Sequence, residues 1–144
     1  MIGAMAVVED WLAAVNDGDA EQVEELSNEH VEIVGPRGQG LMDRMVLGQW
    51  LARAGFESQP LRWFCGADGR VVVEQQAQWR DVATGDPQDR LVIGSEFVVH
   101  EGRVIRYVRH DSGVTDALRS AGMDEGRDLV TARRSILLRS ECCR

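Results

Sequence analysis

The sequence predicts a single α+β domain in which three N-terminal helices pack on one face of a curved antiparallel sheet. Three observations predict it. Apolar residues recur at helical spacing over residues 2–16 and 41–54, with a short capped helix between them. From about residue 60 the apolar period changes from 3.6 to 2. Breaks rich in Gly and Asp, "GADGR", "ATGDPQD" and "HEG", then divide the alternating part into four strands. Helices that precede such a meander pack together on one face of it.

In the first helix Val7, Val8, Trp11, Leu12 and Val15 share one stripe. "NDGD" ends that helix, and Asp19 is a suitable N-cap for a second one through Leu26, with Gln22 in capping-box position. "HVEIVGP" alternates and then stops at Gly35-Pro36, which predicts a strand over 30–34. "RGQG" is expected to be a loop. Leu41, Met45, Leu47, Gly48 and Leu51 predict a third helix over 41–54, with Gly55 past its end. Strands follow over 60–66, 70–81 and 90–100, then through "RVIRYVRHD". On the second of them Val71, Val73, Ala77 and Trp79 face one way and Glu74, Gln76, Gln78 and Arg80 the other. On the third, Leu91, Ile93, Ser95, Phe97 and Val99 share a face. The domain is expected to span 1–123. Residues 124–144 differ in style, and their "RRSILLRSECCR" reads as a loose tail or an extra helix.

A chain of 144 residues is most simply one domain. The net charge of −8 and the lack of a basic stripe before the last dozen residues exclude a nucleic-acid surface. Every basic residue is Arg, so no lysine is present for Schiff-base chemistry. No apolar stretch has the length of a membrane span. Cys65, Cys142 and Cys143 are badly spaced for a disulfide framework or a zinc site. Cys65 is expected to be a buried free thiol, and the chain to work in a reducing, cytoplasmic compartment. No His, Cys and carboxylate cluster has ligand spacing, so no metal is expected.

The unusual stretch is "RVIRYVRHD", a strand that carries Arg103, Arg106, Arg109, His110 and Asp111. One face of it holds Ile105, Tyr107, Arg109 and Asp111, the other Val104, Arg106, Val108 and His110. A bulge would exchange the faces and turn His110 inward as an acid/base group. Trp11, Trp50, Trp63 and Trp79, four indoles beside a single Tyr, suggest aromatic cavity walls, although core filling accounts for at least two of them. Ser95 and Phe97 join that candidate pocket.

Together "WLAAVNDGDAEQVEEL", a strand ending in Gly-Pro-x-Gly, a Trp-containing helix, "GRVVVE", "TGD" and "EGRVIRYVRHD" resemble the nuclear transport factor 2-like superfamily, in its SnoaL-like and ketosteroid-isomerase-like branch. The likeness covers roughly residues 5–122. It implies a cone whose helices close over a strongly bent sheet, with a cavity for a small apolar ligand. It also implies a homodimer through the outer sheet face, where Glu74, Gln76, Gln78, Arg80 and Glu96 lie with Val92 and Val98. The isomerases' three functional positions fall on Trp11, Gly35 and Ser95, so steroid isomerisation by their route has no base here. Apolar cavity-lining positions of the isomerases fall on Tyr107, Arg109 and Asp111, which makes that wall polar. The resemblance therefore implies cofactor-free acid/base chemistry of cyclase, isomerase, dehydratase or hydrolase type. Asp111 would be the acid/base group, Arg109 its partner and Tyr107 a hydrogen-bond donor, with His110 the substitute under a shifted register. A non-catalytic ligand-binding or dimerisation module of the same fold is the alternative.

Overall fold

The computed structural model describes residues 3–35, 38–81 and 83–131. Helix α1 (Ala4–Asp17) buries the expected stripe, and Gly18 closes it in the left-handed conformation at φ +68°. Helix α2 (Ala20–Glu25) starts at Asp19, whose carboxylate accepts from the Gln22 N–H. Strand β1 (Ser27–Gly35) is longer than expected, because Ser27 and Val31 are both fully buried and extend its inward face.

Two elements differ from the sequence expectation. Residues 38–43 form a strand, β2 (Gly38–Asp43), where a loop and the start of a helix are expected. It pairs antiparallel with β1, from Gly35 opposite Gly38 to His30 opposite Asp43. Helix α3 (Arg44–Arg53) therefore begins only after Asp43, whose side chain caps it by accepting from the Met45 N–H. The second difference is a fourth helix, α4 (Val114–Ala121), absent from the expected element order. Its apolar side, Val114, Ala117, Leu118 and Ala121, follows an i, i+3, i+4, i+7 pattern.

Strands β3 (Phe56–Cys65), β4 (Arg70–Arg80), β5 (Pro87–His100) and β6 (Arg103–His110) form the expected meander. Asp68 and Gly69 turn β3 into β4 with φ of 58° and 77°. Two positive values in succession match a type I′ hairpin, whose twist suits the strands it joins. The six strands lie in the order β2-β1-β6-β5-β4-β3. All neighbours run antiparallel except β1 and β6, which are parallel, so the sheet is mixed. Register shifts at Pro60/Arg62, Gln78/Arg80 and Val98/Val99 bend it.

The main core lies between the sheet and α1–α3, with Trp11, Leu47, Val73, Phe97 and Val104 among its most buried members. The opposite face is not free. Helix α4 packs there on Phe64 and Val72 and makes a second, smaller core. Gly94 is its seat, because a Cβ at 94 would come within 2.7 Å of Val114 Cα and 2.8 Å of the Gly113 carbonyl. Glu96, expected on the outer sheet face that pairs with a second subunit, is instead buried beneath α4 and accepts from Ser120 Oγ at 3.0 Å.

Residues after α4 follow the free edge of β3. Cys65 N–H donates to the Asp128 carbonyl, and Val130 N–H to the Trp63 carbonyl. The remainder of the 124–144 segment, "ARRSILLRSECCR", lies outside the described residues. Cys65 is disulfide-bonded, which corrects the expected free thiol. Among the described residues no helix is long and apolar enough to cross a membrane.

Candidate functional site

A cavity of about 640 Å³ opens between the β1–β2 hairpin, α3 and the meander. One wall is backbone and apolar, with Ile33, Gly35, Leu41 and Met42. Trp50 of α3 stands at the cavity with half of its surface exposed, 49%. Trp79 of β4 and Tyr107 and Arg109 of β6 complete it. Of the described side chains lining this space, only Tyr107 and Arg109 are ionisable.

The β6 register places those two groups. Val98 opposes Arg106, whereas Val99 opposes Val104, so one extra residue is accommodated near Ile105. Val104, completely buried, takes the inner place expected for Ile105, and Tyr107 and Arg109 continue inward. The bulge therefore does not turn His110 into the cavity. His110 lies toward Glu96, with Nε2 and Oε2 3.5 Å apart and both side chains largely buried. No hydrogen bond to that nitrogen forms among the described residues.

Tyr107 is held by rings. It stacks on Phe97 with centroids 5.0 Å apart, and Trp11 meets it at 5.4 Å. Burial pushes the phenol above its ordinary pKa, and Ser95 opposes that rise as a hydrogen-bonding neighbour. Ser95 is fully buried, and its Oγ lacks a partner of good hydrogen-bond geometry. The contact is thus close enough to act on Tyr107 without satisfying the serine. Arg109 donates through Nε to Asp111 Oδ1 at 2.8 Å and through Nη2 to Oδ2 at 3.2 Å. Its Cζ lies 5.4 Å from the Trp79 ring centroid, within cation–π range. Carboxylate and indole together fix the guanidinium, since a planar fork held at two nitrogens has little rotational freedom left.

The candidate residues divide accordingly. Trp50, Trp79, Tyr107 and Arg109 meet at the cavity. Asp111 is joined to them only through Arg109. Trp11 is 1% exposed and belongs to the core, and its indole N–H donates to Ser27 Oγ at 3.0 Å. That donor is committed and is not available to a ligand. Phe97 is core packing behind Tyr107, and Trp63 packs against the same core from β3. Leu41 and Met42, expected within the third helix, are wall residues supplied by β2. Gln75, fully buried on the inner face of β4, donates to Ser58 Oγ at 2.6 Å and has an unpartnered Oε1. Strand alternation with Val73 and Ala77 is the signal that places it inward. No group of three or more potential metal ligands occurs among the described residues.

Three N-terminal helices over a bent sheet, with a cavity at the β1–β2 end, define the nuclear transport factor 2-like fold, and the chain adopts it. It is similar in structure to a nuclear transport factor 2-like protein of unknown function from Cytophaga hutchinsonii, at 13% identity and a TM-score of 0.65, covering 76% of this chain and 90% of that one. It is also similar to TerC co-crystallised with polyporic acid, at 18% identity and a TM-score of 0.62, covering 81% and 95%. A third similar structure is SalBIII, an epoxide hydrolase/cyclase-like enzyme with a role in pyran ring formation in the polyether salinomycin. It shows 18% identity and a TM-score of 0.62 over 74% of this chain and 88% of that one. No family model and no curated protein matches the chain.

Proposed function

We propose that the protein binds a small, largely apolar molecule in the cavity and performs cofactor-free acid/base chemistry on it, of the cyclase, isomerase, dehydratase or hydrolase type. One observation carries this reading: two donors, Tyr107 and Arg109, line a space that is otherwise bounded, among the described residues, by apolar side chains, backbone and Gln39. In the proposed mechanism the indoles of Trp50 and Trp79 take the apolar body of the ligand. Tyr107 donates a hydrogen bond to its oxygen, and Arg109 stabilises charge that develops there. Asp111, held against Arg109 by two hydrogen bonds, is the acid/base group. SalBIII and TerC, an enzyme and a ligand-bound protein of the same fold, are consistent with this reading.

The cavity lining contains no carboxylate among the described residues, which favours a second reading, a non-catalytic binding protein. Self-association through the outer face belongs to either reading. It would use the part that α4 leaves open, around Gln76 and the half-exposed Val92.

Thermal melting against a panel of apolar hydroxylated and keto compounds tests the binding. A ligand that binds only the folded state raises the midpoint, and a panel that leaves it unchanged would count against the cavity as a ligand site. For a compound that is turned over, Asp111→Asn should abolish turnover and spare binding. Turnover that survives the substitution would leave the non-catalytic reading.

A further inference from the structure

We infer that the cavity selects ligands whose oxygen is already anionic, a carboxylate, an enolate or a phenolate, over neutral molecules of the same shape. This rests on the reading of the cavity as a ligand site and specifies what that site accepts.

Among the described residues, both ionisable side chains of the lining are hydrogen-bond donors. Arg109 and Tyr107 line it, and no carboxylate does among the described residues, in a chain with 24 Asp and Glu. Arg109 has spent two of its nitrogens on Asp111. Its Nη1 has no partner among the described residues. Guanidinium is never deprotonated in proteins, so this edge is a permanent donor. Tyr107 adds a second one. Burial disfavours the phenolate, so at neutral pH the hydroxyl keeps its proton. Its polar neighbour Ser95 is fully buried.

A neutral acceptor would take a charge-assisted bond from Arg109 and an ordinary one from Tyr107. An oxyanion would add ion pairing with the guanidinium and make the Tyr107 bond charge-assisted as well. Asp111 limits the effect, since it already neutralises part of the guanidinium. Its side chain is 36% exposed against 26% for Arg109, so solvent screens the carboxylate somewhat more than the guanidinium. A preference of about tenfold for the anion is the expected size.

The test compares 2-naphthoate with 2-naphthamide, equal in shape and different in charge at pH 7, by titration calorimetry on the full chain. The acid should bind about tenfold more tightly, and Arg109→Met should erase the difference. Asp111→Asn covers the case in which Arg109→Met fails to fold. It leaves the guanidinium in place and removes its counter-charge, so naphthoate affinity should hold or rise. An amide that binds as tightly as the acid would overturn the anion preference and leave the ligand site standing. So would a loss of naphthoate affinity in Asp111→Asn. Failure of both probes, together with a melting panel that shifts nothing, would bring down the ligand site itself.

Discussion

Arg109 and Asp111 lie two residues apart at the end of β6 and are joined by two hydrogen bonds, 2.8 and 3.2 Å long. The same guanidinium lies over Trp79 and borders the cavity. The pair therefore belongs both to the surface and to the wall. Partly exposed ion pairs contribute about 1 kcal/mol or less to stability. Asp111→Asn is expected to lower unfolding free energy by no more than that in a urea titration. A loss of several kcal/mol would make the pair a structural brace.

Tyr107 is the sole tyrosine, so phenolate absorbance on alkaline titration reports it alone. Its folded pKa is raised above 10.0, first by burial. A raised value leaves stability unaffected below pH 10 and lowers it as pH climbs through the folded pKa, because the unfolded chain releases the proton first. Ser95→Ala removes the one neighbour that favours the phenolate through a hydrogen bond and is expected to move the titration further upward. An unchanged titration would show that Ser95 does not act on the phenol.

The tryptophans separate core from wall. Trp11→Phe removes a buried hydrogen bond to Ser27 and opens a void, at a cost of about 2–3 kcal/mol in denaturant unfolding. Its effect on ligand-induced melting shifts should be small. Trp50→Ala is the converse. Half of that side chain is already in water, so stability should change by less than about 1 kcal/mol while ligand shifts shrink.

Gly94→Ala is expected to displace α4, because the added methyl meets backbone at Val114 and Gly113. The expected loss is about 1–3 kcal/mol. Hydrogen exchange should show lost protection confined to 114–121 and the strands beneath, and retained protection in α4 would refute the seating.

The legible part of the molecule is the part where burial is periodic. The stripe of α1, the Asp19 cap, the Asp68-Gly69 turn and the alternation of β4 and β5 leave their mark in residue order because each buries one face. Strand β2 leaves none. Gly38, Gln39, Gly40 and Leu41 are all exposed, so no alternation marks it, and Leu41 and Met45 imitate a helical start. Helix α4 carries a pattern in Val114, Ala117, Leu118 and Ala121, but at eight residues, directly after a strand, it spans barely two turns and its period does not stand apart. The site was half visible. Arg109 and Tyr107 stood out because charge and phenol are unusual on an inward strand face. Which indoles formed walls was hidden, since a residue facing a hollow and a residue facing the core occupy the same positions in a periodic pattern.

The parallel pairing of β1 with β6 has a consequence for how the hollow comes into being. Ile33 stands opposite Tyr107 across that seam, although 74 positions of chain separate them. Neither half of the molecule encloses the space alone, and closing so long a stretch of chain carries an entropic cost. An occupant would bridge the first strand and the last, so its binding energy would act on the seam that joins the two ends of the fold.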